Sequence, residues 1–394
     1  MCGIHVSLYR NAYQKPNDRL AELLHNRGPD YVGYEQSRID ANGTQYYMSF
    51  TSSVLALRGG KISPQPFKDN KTGSIFCWNG EAWKLDGEYL RGNDGKVIFD
   101  LLMRASHTLV DSEATKAILR VLDKISGPFA LVFLDQIHKT LYFGRDRLGR
   151  RSLLTRDGLD NFLLEICSVS DPINGPWVEV EADGIYQLPL TDEPPSPPCL
   201  SSDLSYISKS LSQLRRHNWL NISKYHQHHL SPSPQRRTSD IAQLETSLGV
   251  FNTKIPSTRF TLSLDADSVD TLHCLLYRSI ALRTSQTPMN SRSEDSLHGH
   301  IAILFSGGVD CTVLARITHD ILPYSQEIDL LNVAFENPRN VQAMKNAKSL
   351  MIGHKLIDLP EESPYEICPD RITGRKSLKE LQKVCPQRKW RFVA

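Results

Sequence analysis

The chain predicts two ordered units of different class: an α+β layered unit over residues 2–190 and an α/β unit with a parallel sheet over 265–394. Three observations lead there. Short apolar runs bounded by Gly and Asp recur through the first half. A Ser-, Pro-, His- and Arg-rich stretch, 191–264, interrupts the pattern and reads as a largely disordered linker. Beyond it, buried-strand patterns alternate with helical stripes.

In the first unit, strand patterns lie at Ile75-Phe76-Cys77-Trp78, Phe129 to Leu134, Leu141-Tyr142-Phe143 and Phe162-Leu163-Leu164. Three helical stripes are interleaved. Leu20, Leu23 and Leu24 precede a stop at Gly28; Val97, Ile98, Leu101 and Leu102 form the second; Ile118, Val121, Leu122 and Ile125 lead to Gly127-Pro128. In the linker, His226-Gln227-His228-His229 is either a metal-binding tract or a solvated segment, and the Pro-rich run 194–198 is either a polyproline ligand or a spacer. In the second unit, Val269, Leu272, Leu275 and Leu276 form a helical stripe. Strands are expected at Ile301 to Phe305, Leu330 to Phe335 and Lys355 to Leu359. Helices carry Val313, Leu314 and Ile317, then Val341, Met344, Ala347 and Leu350, and Arg391-Phe392-Val393-Ala394 starts another strand.

At 394 residues there is ample length for real cores. Forty-six basic and 44 acidic residues leave a formal charge of +2, which demands neither nucleic acid nor an anionic membrane as partner. The eight cysteines show no CxxC pair and no zinc-ligand spacing. With no basic, apolar leader at the start and no apolar run long enough to span a bilayer, the expectation is reduced thiols and a cytoplasmic protein.

Chemistry concentrates in two places. Cys2 follows Met1, and its small side chain permits Met removal, which would leave a thiol and an α-amine on one residue. A thiol is a weak nucleophile until a base takes its proton, and an α-amino group with a reference pKa near 8 suits that role. The second place is Ser306-Gly307-Gly308-Val309-Asp310, set between a buried strand and a helix. It lacks a Walker A Lys. Paired glycines, a hydroxyl donor and a helix N-terminus suit an anion such as phosphate, and Asp310 is a candidate ligand for Mg²⁺.

These residues carry resemblances. The Ser306 to Asp310 turn resembles the SGGxDS pyrophosphate loop of the ATP pyrophosphatase superfamily, with Cys311 in place of the last Ser. That resemblance implies ATP and Mg²⁺, with Phe305 and Val333 at strand ends lining an adenine pocket. Asn26-Arg27-Gly28-Pro29-Asp30, Trp78-Asn79-Gly80-Glu81, Asn93-Asp94 and Gly144-Arg145-Asp146-Arg147-Leu148-Gly149 look like the motifs of class II glutamine amidotransferases. The implied fold is an N-terminal nucleophile sandwich, αββα, followed by an incomplete pyrophosphate-loop domain. The implied roles are Cys2 as nucleophile, Asn79 and Gly80 as oxyanion hole, and Glu81 and Asp94 in glutamine binding. The family grips the substrate carboxylate with an Arg near the position of Val54 here. Arg58 is the nearest candidate, four residues on and about 13 Å along a strand.

Three further segments narrow the resemblance to the asparagine synthetase domain-containing protein 1 family. They are Val54-Leu55-Ala56-Leu57-Arg58-Gly59, Gly149-Arg150-Arg151-Ser152-Leu153-Leu154 and Pro369-Asp370-Arg371-Ile372-Thr373-Gly374-Arg375. The resemblance implies glutamine-dependent asparagine synthesis, with glutamine, aspartate and ATP as substrates, and is compatible with a homo-oligomer. Since family synthetase domains continue further, the chain reads as a truncated or split product, or as an incomplete gene model. The alternatives are a glutaminase alone, or a non-catalytic paralogue with an interaction or regulatory role.

Overall fold

The computed structural model describes residues 2–41, 43–56, 62–107, 110–158, 161–171, 175–190, 213–219, 267–284, 301–335, 365–366 and 368–394. The chain divides into two units, Met1–Ile255 and Pro256–Ala394.

The first unit contains two six-stranded antiparallel sheets. In the order of the first sheet, the strands are β13 (Val178–Glu179), β11 (Leu154–Asp157), β12 (Phe162–Cys167), β1 (Gly3–Tyr9), β3 (Thr44–Val54) and β2 (Tyr31–Ala41). In the second they are β15 (Arg215–Asn218), β14 (Gly184–Pro189), β10 (Thr140–Arg145), β9 (Phe129–Asp135), β5 (Ile75–Gly80) and β4 (Phe67–Lys68). A small sheet joins β6 (Lys84–Leu85) to β7 (Glu88–Tyr89) and β8 (Ile125–Ser126).

Side-chain alternation explains why the two large sheets stack. Ile4, Val6 and Leu8 of β1 meet Ala130, Val132 and Leu134 of β9 and Ile75 and Cys77 of β5 in one core. The opposite faces are also covered. Phe76, Trp78, Phe129, Leu131 and Phe133 pack under α2 (Asp94–Ser106) and α3 (Asp111–Asp123) through Ile98, Phe99, Leu102, Ile118 and Leu122. Leu20 and Leu24 of α1 (Asp18–Arg27) cover Cys167 on the first sheet. The layers therefore run helix, sheet, sheet, helices, matching the αββα expectation. Burial on both faces is why β9 reads as an unbroken apolar run. The helix starts follow capping chemistry: Asn17 Oδ1 accepts from Leu20 N at 2.8 Å and Asn93 Oδ1 from Lys96 N at 2.9 Å.

The expected linker needs one correction. Residues 213–219 belong to the second sheet, where β15 pairs with β14 from Gly184↔Asn218 to Gln187↔Arg215. Arg215-Arg216-His217-Asn218 has no apolar alternation because it is an edge strand. Its flanks, Leu214 and Trp219, are what bury. The His tract, the Pro-rich run, the expected helix carrying Val341 to Leu350 and the expected strand at 355–359 lie outside the described residues.

In the second unit, β16 (Ile301–Leu304), β17 (Ile328–Leu331) and β18 (Trp390–Val393) pair in parallel, with β17 central. The crossovers carry α5 (Val309–Ile321) and α6 (Pro369–Val384), and Phe305, Ala315, Ile328, Leu330, Leu381 and Trp390 share its core. The preceding α4 (Asp267–Thr284) departs from its expected stripe: Val269, Leu272 and Leu275 are exposed, and Ile280 is the buried position. Among the described residues, no helix is long and apolar enough to cross a membrane.

Candidate active site

Cys2 precedes β1, and the end of α1 and the segment after β3 converge on it. Arg27, the last residue of α1, donates from Nε to the Cys2 carbonyl at 3.2 Å. The Leu55 N–H donates to Cys2 Sγ at 3.5 Å, with the Leu55 carbonyl 3.9 Å from the same sulfur. Asp30 fixes this segment by accepting from Ala56 N at 2.7 Å and donating its own N–H to Val54 O at 3.1 Å. A Cβ on Gly28 would lie 2.5 Å from Ser53 C and Val54 N, so only Gly allows the turn to approach β3 this closely. The Arg27 to Asp30 turn thus holds the strand end against the thiol.

The thiol opens into a pocket whose walls include Val54, Gln65, Asn79, Gly80, Glu81, Asp94 and Arg151. Asn79 lies at the end of β5 and is 1% exposed, yet its Nδ2 has no hydrogen-bond partner. A buried amide donor without a partner carries a desolvation cost of about 1–3 kcal/mol, which a ligand oxygen would relieve. Gly80 lies opposite Phe129, whose N–H and C=O are both bonded to Asp146. Strand alternation therefore turns the Gly80 N–H away from β9, to the side where Gln65 Oε1 receives the Trp78 N–H at 2.9 Å. A Cβ on Gly80 would press on Trp78, Phe129 and the Pro128 carbonyl at 2.7–2.8 Å.

Asp94 opens α2, where a helix N-terminus favours a carboxylate. Its Oδ2 accepts from the Trp78 indole at 3.1 Å and from Ala82 N at 2.8 Å. Glu81 Oε1 receives Arg151 Nη2 at 3.1 Å, and its Oε2 is 3.5 Å from the Trp83 indole nitrogen. The structure brings Cys2, Asn79, Gly80, Glu81 and Asp94 to one pocket. Arg58 lies outside the described residues. Arg151 was legible as part of Gly149 to Leu154, but nothing in that segment announced a place in the pocket.

Burial is the main influence on Cys2 and raises its thiol pKa, against the Leu55 N–H bond, which lowers it. Among the nearby charges, Asp94 raises it and Arg151 lowers it. Burial pushes Cys77 and Cys167 much further, to about 12. Since the thiolate is the reactive form, iodoacetamide is expected to alkylate Cys2 slowly at pH 7. The rate should rise roughly tenfold per pH unit below the thiol pKa, while native Cys77 and Cys167 stay unmodified. Peptide mapping after timed labelling checks this; a Cys2 rate that is flat from pH 6 to 9 would contradict it.

In the second unit, Gly308 caps α5 and Asp310 lies in its first turn. Gly307 has φ +84°, and a Cβ there would lie 2.3 Å from Thr373 C. Gly307 therefore serves the close packing of α6 on the loop, reinforced by Ser377 Oγ to Gly307 O at 2.8 Å and Thr373 Oγ1 to Ser306 O at 2.7 Å. A Cβ on Gly308 would meet only Ser306 Oγ, at 3.7 Å, so this side of the loop is open. The open Gly308, the Ser306 hydroxyl and the helix N-terminus fit a phosphate group. Cys311 Sγ instead faces inward, donating to Gly308 O at 3.2 Å. Phe305 is a core residue whose N–H and C=O bond Leu331 O and Asn332 Nδ2, while Val333 is exposed. Among the described residues, no cluster of three or more His, Cys, Asp or Glu side chains accompanies Asp310 to hold a metal ion.

No family model matches the chain. The mouse protein named asparagine synthetase domain-containing protein 1 is 30% identical over 458 aligned residues, covering all of this chain and 68% of the mouse protein. Rat asparagine synthetase [glutamine-hydrolyzing] is 27% identical over 179 residues, 43% of this chain and 28% of the rat enzyme. Among solved structures, a glutamine phosphoribosylpyrophosphate amidotransferase from B. subtilis aligns with TM-score 0.36 and 12% identity, covering 90% of this chain and 71% of that one. With the whole chain aligned to the mouse protein at 30% identity, the chain belongs to the asparagine synthetase domain-containing protein 1 family.

Proposed function

We propose that the first unit hydrolyses the side-chain amide of L-glutamine and that the second couples the released ammonia to ATP-dependent formation of asparagine from aspartate. The observation that carries the first half is the buried, partnerless Asn79 Nδ2 in the same pocket as the Cys2 thiol. An amide donor and the Gly80 N–H at the end of one strand are suited to an oxygen that gains negative charge as sulfur attacks.

In the proposed mechanism, removal of Met1 leaves the Cys2 α-amine as base. The amine takes the thiol proton, and sulfur bonds the amide carbon. The carbonyl electrons move onto oxygen, which Asn79 Nδ2 and Gly80 N–H receive. The C–N bond then breaks, and its nitrogen leaves as ammonia with the proton held by the amine. Water cleaves the resulting thioester to give glutamate and restore the thiol. Asp94 and Glu81 present carboxylates to the substrate ammonium.

For the second half, Ser306 Oγ, the open backbone at Gly308 and the first turn of α5 would hold the phosphates, and Asp310 would be the candidate carboxylate ligand for Mg²⁺. When bound, Mg-ATP supplies activation of the carboxylate that ammonia attacks. The test is glutamate release by the full chain with amide-¹⁵N glutamine, with and without ATP and aspartate, alongside the N-terminal mass. Glutamate without ¹⁵N-asparagine leaves a glutaminase alone. No glutamate release, or a retained Met1 on active protein, would sink the Cys2 mechanism.

A further inference from the structure

An α-amino acid has a zwitterionic head, so a pocket that selects it needs a cation for the carboxylate and an anion for the ammonium. Among the described residues of the Cys2 pocket, Glu81, Asp94 and Arg151 carry formal charge. Two are carboxylates and one is a guanidinium.

Arg151 is held in place by its own backbone. Its carbonyl accepts from Arg145 Nε at 2.7 Å, and the neighbouring Ser152 Oγ donates to Ser168 O at 2.7 Å. Upstream, Gly149 N donates to Asp146 O at 2.8 Å and Arg150 N to Asp146 Oδ2 at 3.1 Å. The Arg151 side chain is 17% exposed, and Glu81 Oε1 stands 3.1 Å from Nη2. A guanidinium has five donors in a planar fork, so one can serve two carboxylates at once. Its charge acts on the Cys2 thiol opposite in sign to that of Asp94, so both charges lie within range of the nucleophile.

Resting on the glutamine-hydrolysing reading of this pocket, we infer that Arg151 is the clamp for the substrate α-carboxylate. Glu81 orients the guanidinium, and Asp94 with Glu81 receives the ammonium. The substrate class is then a free amino acid with an ionised α-carboxylate. Glutamine within a peptide, or with an amidated α-carboxyl, is rejected because it would leave the half-buried guanidinium facing a neutral group. The cation comes from the turn after β10, whereas the β3 end supplies Val54, which is 4% exposed and apolar.

The test compares hydrolysis of the γ-amide in L-glutamine and in L-glutamine α-amide by the full chain. The unmodified protein is expected to prefer glutamine by about 100-fold or more in kcat/KM. Arg151→Gln should reduce that preference to about tenfold or less, through KM for glutamine, with little change toward the α-amide. Glu81→Gln breaks the same ion pair but keeps the guanidinium, so the preference should fall clearly less than in R151Q, whatever happens to the rate. A purely structural ion pair predicts that both variants behave alike. Should R151Q fail to fold, R151K is measured; it keeps the charge and loses the fork, and a preference reduced several-fold supports the clamp. A preference kept in R151Q or R151K, or lost equally in E81Q, overturns the assignment while leaving glutamine hydrolysis standing. Hydrolysis of neither compound by the unmodified protein overturns the glutamine reading, and Arg151 as clamp with it.

Discussion

Cys2→Ala is expected to abolish glutamine hydrolysis, and Asn79→Ala to lower kcat about 10²–10³-fold with KM little changed. The first follows because Cys2 carries the one thiol among the described pocket residues; Cys77 is sealed in the core between the sheets. The second follows from when the oxygen becomes charged. In the ground state the amide oxygen is neutral, so an Asn79 bond to it is worth little. In the tetrahedral state it carries negative charge, and a fixed donor in a buried site contributes roughly 3–4 kcal/mol. Asn79 already holds its donor ready, at 1% exposure and without a partner, so no reorganisation precedes the bond. Steady-state ammonia release, with thermal melting as a control for folding, checks both. An Asn79→Ala variant that loses activity only through KM would place Asn79 in ground-state binding and remove it from the oxyanion hole.

Asp146→Ala is expected to destabilise the first unit by about 4–5 kcal/mol, lowering its melting midpoint by roughly 10–15 °C. This carboxylate is 2% exposed. Its Oδ2 accepts from Phe129 N at 3.0 Å and Arg150 N at 3.1 Å, and its Oδ1 from Leu148 N at 3.1 Å and Arg150 Nε at 2.9 Å. Alanine strands three backbone donors at once and frees the turn that carries Arg151. Asp146→Asn keeps the shape and one acceptor oxygen, so it should cost less than half as much. Thermal denaturation followed by tryptophan fluorescence measures both. A loss under 1 kcal/mol for the alanine variant would mean that the turn is held by the Arg145 guanidinium alone.

How much the sequence reveals follows from which surfaces each element buries. Strands β5, β9, β10 and β12 are readable because their apolar runs pack on both faces or nearly so. Strands β2 and β3, the longest pair, are not. Tyr31–Ala41 is a sheet edge with exposed Tyr31 and Val32, and β3 fills its buried positions with Ser49, Thr51, Ser52 and Ser53. In β15 the signal is absent for the same reason, and in α4 a stripe is present but exposed. Helices α1 and α2 are announced by their Asn caps as well as their stripes.

The candidate site divides along the same line. Cys2, Asn79-Gly80, Glu81 and Asp94 are marked in the sequence because each sits in a short motif where a turn, strand end or helix cap permits few residue types. The sequence by itself marked the proposed nucleophile and oxyanion donors, an α+β layered unit and a loop suited to phosphate, and the αββα layering was what its family resemblance implied. Only the tertiary structure decided that Asn79 Nδ2 is left without a partner and that Gly307 serves packing while Gly308 faces open space. It alone placed Arg151 beside Glu81. The reason is physical. A motif constrains its own backbone, but which charges share a low-dielectric pocket depends on strands and turns brought together from 70 residues apart in the chain.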